Sequence, residues 1–514
     1  MRRLFRGLRR PPDPSYDAVV IGSGVGGLVA ANLLAREGLK VLLAEQHYMV
    51  GGYCSTFRRG GYTFDASTHF YPLLGNPETL TGRLLAELGV TTGWVKMDPV
   101  DTFHFPDGTR FAVPADFETY LAKLKAEFPD EAAALDSFFA AVREVYLLGL
   151  LHYFRSRPEP ERLTPYRDLT VREALDRWFR DPKLKLLLTA DCPHWGSPPG
   201  RTSFVFDSML RLSYFLGNYY PQGGSQAFAD ELALRFEEKG GHLLPSTPVR
   251  RILVEGGAAR GVEIETLRGP LGGLRATVKA GVVISNADLL QTFESLIGED
   301  RLPPGTLEEL RRLRPTFPCW LSHLGLRGVS RETLEEVQGY YWDSWEMDRV
   351  GRDALRFKLF APTVYEPAVA PAGEQILIVQ KVLEMDYDAV GDWPAHKARI
   401  EEFIFSNLER VIPGIGGRIA VRTSASARTA WRFTWNHQGA MLGWEMSPEQ
   451  LGERRPAVET AIPGLYCVGH WTRPGGGITP VIVSAQVVAR QVLGGAAAAP
   501  APESVRPREA AWMP

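Results

Sequence analysis

Residues 16–21 form a short apolar run that includes Val19, Val20 and Ile21, and the run stops at Gly22. Gly22, Gly24 and Gly27 follow in G-x-G-x-x-G spacing, and behind them Leu28, Ala31 and Ala35 recur at helical intervals as far as Gly38. This spacing predicts a strand, a tight turn and a helix that ends at a glycine. Residues 40–45 predict a second strand with Glu45 at its tip. The unit is βαβ. In it Gly22 permits the turn, Gly24 lets a pyrophosphate approach the backbone, and Gly27 lets helix and strand pack closely. Glu45, 18 residues beyond Gly27, is placed to accept hydrogen bonds from a ribose. Strand, helix and acidic strand end agree, which favours dinucleotide binding over an ordinary glycine-rich loop.

Further along, Gly223 and Gly224 precede a helical pattern over residues 227–238, and apolar stretches around residues 249 and 282–285 read as returning strands. A last glycine-rich stretch spans residues 464–478. Residues 70–220 and 291–428 lack this fingerprint and read as mixed helices and strands. The expected division is a discontinuous nucleotide-binding domain (15–69, 221–290 and 429–495) with an inserted α+β substrate domain (70–220 and 291–428). Aromatic side chains gather in the inserted part, at Phe204, Phe206, Tyr214, Phe215, Tyr219, Tyr220, Tyr340, Tyr341, Trp342 and Trp345. One such cluster is ordinary core packing, but several on one domain favour an apolar ligand.

Composition narrows the picture. The chain has 514 residues, 45% of them hydrophobic, which is enough for two or more real cores. Lys and Arg number 58 against 60 Asp and Glu, so net charge gives no sign of a nucleic-acid partner. The four cysteines, Cys54, Cys192, Cys319 and Cys467, form no CxxC pair, which predicts neither a metal site nor a redox dithiol and is consistent with a cytoplasmic setting. The longest apolar run, residues 145–154, has ten residues, short of the roughly 18 needed to cross a bilayer. Residues 1–14 carry Arg2, Arg3, Arg6, Arg9 and Arg10 beside Leu4, Phe5 and Leu8, a basic tail with the makings of a weak anchor to anionic lipid. Residues 496–514, rich in Ala, Pro and charge, read as a disordered tail.

The same G-x-G-x-x-G serves NAD and FAD, and the residues after Glu45 discriminate. Gly51 and Gly52 form a second glycine pair beyond the ribose carboxylate, followed by Gly61, Tyr62, Thr63, Phe64 and Asp65. Together with Tyr220 to Gly224, Val249, Gly464 to Gly469, Pro474 to Ile478 and the stretch 435–444, this pattern resembles the amine-oxidase-like flavoprotein superfamily. The resemblance is nearest to its branch of phytoene desaturases, carotenoid isomerases and retinol saturases. It implies a Rossmann-like FAD-binding domain in an α/β fold. It also implies FAD contacts at Gly22, Ser23, Gly24, Gly26, Gly27, Glu45, Gln46, Gly51, Gly52, Ser55, Thr56, Val249, Gly469, His470, Gly476, Gly477 and Ile478. Two positions depart from the pattern. His470 stands where an acidic residue is common, and Tyr53 stands where amine oxidases usually carry Arg, which lowers the amine-oxidase reading.

The flavin carries the chemistry in this branch, so few protein acids or bases are needed. If a proton moves, His69 is the first candidate, since histidine titrates near neutrality and a similar histidine occurs in retinol saturases. Tyr220, Trp435, His437 and Trp444 are expected to line the substrate site, with Glu445 of second rank. Arg422, Arg428 and Arg432 read as a solvated face before they read as carboxylate or phosphate contacts. The leading expectation is hydride transfer between an apolar polyene or isoprenoid and FAD, as in carotenoid desaturation. Isomerisation by reduced flavin and double-bond reduction are the alternatives, and a non-catalytic prenyl-lipid carrier is a third class that the intact glycine motifs oppose. Such a substrate implies peripheral contact with a membrane surface, and an external electron acceptor, since no separate NAD fingerprint is present.

Overall fold

The computed structural model describes residues 10–155, 157–189, 194 and 196–494, so residues 1–9 of the basic tail, Cys192 and the whole of the 496–514 tail lie outside the described residues. The predicted βαβ unit is present as β1 (Ser15–Ile21), α1 (Val25–Arg36) and β2 (Val41–Ala44), with Glu45 just past the second strand. β1 is buried from Ala18 onward because both of its edges are paired and both faces are covered. Its parallel neighbours are β2 and the end of the long strand Arg275–Ser285, and His242–Leu244 and Leu465–Cys467 extend the parallel part on either side. Antiparallel strands Ala258–Glu265 and Val249–Glu255 complete this seven-stranded sheet. One face is covered by α1 with helices Ser225–Glu238 and Ile478–Gly494, whose Leu28, Ala31, Phe228, Leu232, Ile482 and Ala485 share one apolar cluster.

A second seven-stranded sheet runs in the order Ile419–Ala425, Cys319–Leu326, Gln375–Val382, Leu355–Phe360, Gly339–Trp342, Asp101–His104 and Arg110–Val113. Every pairing in it is antiparallel except that of Gly339–Trp342 with Asp101–His104. Register places Thr423, His323, Ile378 and Phe360 in one cross-strand row, and Ala425, Leu321, Gln380, Lys358, Tyr340 and Phe103 in the row beside it. Side chains alternate across a strand, so these two rows belong to the same face. Trp320, Leu324, Phe357, Leu359, Leu377 and Val379 point the other way into a separate apolar cluster.

A helical layer, including Ala132–Gly149, Val171–Trp178 and Phe204–Phe215, packs through the largest apolar cluster of the molecule. Phe204, Phe206 and Trp342 are core residues within it. The apolar run 145–154 also lies here, in the end of one helix and a short π-helical turn, with Leu147 its only exposed apolar side chain. Among the described residues no helix is long and apolar enough to cross a membrane.

Close packing at the start of α1 yields the first prediction. A Cβ added at Gly27 would lie 2.1 Å from the carbonyl oxygen of Gly22, a backbone atom with no freedom to retreat. Gly27→Ala is therefore expected to lower stability by about 1–3 kcal/mol, seen as a lower thermal midpoint.

Candidate functional site

At the β2 end of the first sheet, Glu45 is held in a fixed pose. Its Oε2 accepts the Ser23 N–H and the Ser23 O–H, each at 2.7 Å, and its Oε1 accepts the His47 N–H at 2.7 Å. Ser23 is fully buried, so it fixes the carboxylate and does not itself line the cavity. α1 begins at Gly24, which is extended at φ −60° and ψ 166°, and no side chain caps the helix. Its first amides therefore keep unused N–H donors and the positive end of the helix dipole, beside a cavity lined by Gly22, Gly24, Val25 and Gly26. Gly51, at φ +110°, donates its N–H to Ser23 O at 2.8 Å, which brings the second glycine pair against the first. A helix start with open amides, the oriented Glu45 carboxylate and backbone free of side chains together fit an FAD adenosine and pyrophosphate.

The cavity has a volume of about 1110 Å³ and continues from this turn toward the second sheet. Gln46, Gly51, Gly52, Ser55, Thr56, Val249, Gly469, His470, Gly476, Gly477 and Ile478 all line it. Gly27 does not, because it is spent on helix packing. Gly469 donates its N–H to Ser484 Oγ at 3.1 Å, and the His470 ring and the Trp471 indole both donate to Asn436 Oδ1 at 3.1 and 2.9 Å. Beneath this loop the buried Arg455 guanidinium donates to main-chain oxygens of Trp444, Glu445, Gln450, His470 and Thr472, stitching two loops together. Burial lowers the Arg455 pKa to about 9.

Toward the second sheet the wall becomes apolar, with Phe70, Leu210, Tyr214, Leu321, Met441 and Leu442. His69 is buried there, its ring stacked on Phe360 with centroids 4.4 Å apart, and its Nδ1–H donates to Ser67 O at 2.8 Å. Burial first, and then the charge of Lys358, push its pKa down to about 3. His470 is likewise lowered to about 3 and His323 to about 4, both mainly by burial. His194 is lowered for the same first reason. All four line the cavity as neutral rings.

Three expected substrate contacts lie elsewhere. Tyr220 is buried and donates its O–H to Asp65 at 2.5 Å, an internal bond that consumes its polar end. Trp444 packs edge-on against Trp471, with centroids 4.7 Å apart, inside an apolar cluster. His437 donates its N–H to Asp288 at 2.8 Å and stays off the cavity wall. Trp435 does line the cavity. Glu445 is buried between Arg201 and Arg314 and does not line the cavity. Arg422, Arg428 and Arg432 are exposed.

Sequence reasoning missed Asn286, Asp288, His194, His323 and Gln380, all of which line the cavity. The first two directly follow the strand Arg275–Ser285, so a strand end facing the cofactor was a usable signal. Asp288 accepts the His437 and Gln291 N–H groups, yet burial raises its carboxyl pKa to about 6.

The family model for flavin-containing amine oxidoreductases matches residues 25–493. A prolycopene isomerase of Daucus carota is 27% identical over 93% of this chain and 80% of its own length. A zeta-carotene-forming phytoene desaturase of Myxococcus xanthus is 27% identical over 96% of this chain and 97% of its own. An all-trans-retinol 13,14-reductase of Rattus norvegicus is 27% identical over 88% and 82%. Among solved structures, an oxidoreductase from Methanosarcina mazei superposes with a TM-score of 0.65 at 17% identity, over 92% of this chain and 99% of its own. Putrescine oxidase bound to putrescine superposes at 0.64 with 15% identity, over 94% and 100%, a likeness of fold.

Two predictions follow from this geometry. Glu45→Gln removes a charged acceptor and half of the Ser23 clamp, so affinity for FAD should fall about 10- to 100-fold, measured by titrating the apoprotein with FAD. Asp288 has a raised folded pKa, near 6 against 3.8, so the folded chain holds a proton there that the unfolded chain has released. As pH rises from about 3.8 through 6, the wild type should lose stability relative to Asp288→Asn, and the gap between their thermal midpoints should level off above 6.

Proposed function

The chain belongs to the flavin-containing amine oxidoreductase family and is an FAD-dependent oxidoreductase, and we propose that it acts on an apolar polyene or isoprenoid, extending its conjugation as in carotenoid desaturation. The observation that carries this reading is the character of the inner cavity, an apolar wall in which His69, His194 and His323 are held neutral. Relatives whose names specify prolycopene, phytoene and retinol support the substrate class.

Bound FAD supplies a hydride acceptor, so that one new double bond costs the substrate a hydride and, from the adjacent carbon, a proton. The protein's part is to hold the cofactor and keep water from the reacting carbons. The α1 N-terminus and Glu45 would hold the pyrophosphate and ribose, and Gly469, Gly476 and Gly477 would admit the far end of the cofactor without side-chain obstruction. Phe70, Leu321 and Met441 would give an extended hydrocarbon a dry wall. His69 is too weak a base to retain a proton near neutrality, so we assign it to binding and let the proton pass to solvent. Reduction of a double bond is the reverse of this transfer, with the proton taken up from solvent, and is compatible with the same wall. Isomerisation moves no net hydride or proton and is compatible with the same wall. The substrate would arrive from a membrane surface, with the basic residues 1–14 as the means of contact, and the electrons would leave to oxygen, a quinone or another external acceptor.

The deciding experiment mixes the FAD-loaded protein anaerobically with carotenoid and retinoid polyenes and separates the products. Desaturation predicts bleaching of the flavin band in step with a product that gains a double bond. Isomerised product that forms only after prior reduction of the flavin, with no further reductant consumed, would replace desaturation by isomerisation. A flavin band and a polyene that both stay unchanged with oxidised flavin would remove desaturation and leave reduced-flavin isomerisation or double-bond reduction; a polyene unchanged after prior flavin reduction as well would overturn the substrate class.

A further inference from the structure

Among the described residues the four most exposed large apolar side chains are Tyr48 at 52%, Phe433 at 51%, Leu267 at 50% and Trp431 at 41%. They come from three separate segments and meet at one place. The His47 ring centroid lies 4.3 Å from that of Tyr48 and 5.7 Å from that of Phe433. Ser246 donates its N–H to His47 O at 2.9 Å, and Leu267 donates its own to Ser246 O at 2.7 Å. Trp431 and Phe433 share the short helix Ala427–Thr434, of which only Ala427 is buried. Tyr48 and Phe433 also line the cavity, as do the exposed Arg58 and Arg59, so they mark an opening where its wall meets solvent.

Spacing divides the helix between two jobs. Thr429, Ala430, Phe433 and Thr434 line the cavity, while Arg428, Trp431 and Arg432, at i, i+3 and i+4, are exposed on one stripe. Arg268 follows Leu267, and its charge, after burial, helps to lower the pKa of His47, which places that guanidinium beside the same cluster. None of Arg268, Arg428 and Arg432 is ion-paired within 4.0 Å to a carboxylate of the described residues. The rim therefore combines apolar side chains standing in water with positive charge that the protein leaves unanswered.

That combination suits an anionic lipid surface. Tryptophan settles at the boundary between headgroups and acyl chains, and each guanidinium near an anionic surface adds attraction. A protein seated here would close the opening, whereas a bilayer leaves it in contact with dissolved hydrocarbon. The N-terminal tail is not placed to do this. The chain enters β1 at Ser15, about 20 Å along the strand from the turn at Gly22, so Arg10 to Pro14 lie at the end of the sheet opposite Tyr48.

We propose that the rim formed by Tyr48, Leu267, Trp431 and Phe433, with Arg268, Arg428 and Arg432, is a docking surface that seats this opening of the cavity on a membrane containing anionic lipid. The assignment rests on the reading above that the substrate is a lipid-soluble polyene, and it gives the orienting contact to the rim, with the basic tail as a tether.

Flotation of the FAD-loaded, full-length protein with vesicles of phosphatidylcholine, alone or with phosphatidylglycerol, tests it, with conversion of detergent-dispersed carotenoids read in parallel. The wild type should float with the mixed vesicles and be released by salt. Leu267→Ser with Trp431→Ser, and separately Arg428→Gln with Arg432→Gln, should each weaken this binding at least about tenfold. None of these four residues lines the cavity, so conversion in detergent should stay at the wild-type level. Replacing Arg2, Arg3, Arg6, Arg9 and Arg10 by Gln should cost less than either rim pair. A wild type that stays in solution with both kinds of vesicle would overturn the docking surface, whatever happens in detergent. Rim variants that bind like the wild type while the tail variant does not would do the same. So would a dimer in lipid-free buffer that the Trp431→Ser change dissociates, by assigning this face to a second copy. Vesicle binding that follows the rim, beside carotenoids left unchanged in detergent by both oxidised and reduced flavin, would uphold the docking surface and remove the polyene reading alone.

Discussion

At Gly24, Gly26 and Gly27 the start of α1 has no space for a side chain, and the site depends on that constraint. Added Cβ atoms at Gly24 and Gly26 would each lie 2.7 Å from the Asn286 side chain, and one at Gly27 would run into Gly22 O. The helix is thereby drawn against the end of the strand Arg275–Ser285, and its uncapped amides open on the cavity where a capping side chain would otherwise stand. Glu45 takes its position from the same turn, since the Ser23 N–H and O–H that clamp it lie between the first two glycines. The geometry of the helix start and of Glu45 is therefore a single packing solution.

A second theme is the price of burial for polar groups, which the molecule settles differently at its two ends. Around the cofactor segment the polar groups are tied down: Glu45 by three donors, Asn436 by His470 and Trp471, Arg455 by five main-chain oxygens. At the sheet wall, histidine rings are kept uncharged by desolvation, and the Lys358 charge is answered by Asp101. The cofactor half is thus polar and preorganised, and the inner half is apolar with few polar atoms, a division suited to a charged dinucleotide on one side and a lipid on the other.

The βαβ unit was legible because glycine spacing, helical periodicity and a carboxylate at a strand end are local signals, and β1, α1 and β2 form within a few residues of where these signals place them. Motif spacing fixes backbone positions better than side-chain directions, which explains Ser23 and Gly27, both within the motif yet turned to internal jobs. Tyr220 and Trp444 show the same limit for aromatics, since nothing local tells a ring that seals a core from one that faces a cavity. His194, His323 and Gln380 were beyond reach for another reason. They come from distant segments, and for His323 and Gln380 it is strand register that sets them on a common face.

That face has an evolutionary consequence. Along Cys319–Leu326 and Gln375–Val382, the cavity-lining Leu321, His323 and Gln380 alternate with residues such as Trp320, Leu324, Leu377 and Val379, which hold the far side of the sheet together. Substitutions at every second position can redraw the wall while the intervening positions keep the scaffold intact. Selection for a new ligand and selection for a stable sheet then act on different residues of the same strands, so descendants of such a chain can diverge in what they accept without first passing through an unstable ancestor.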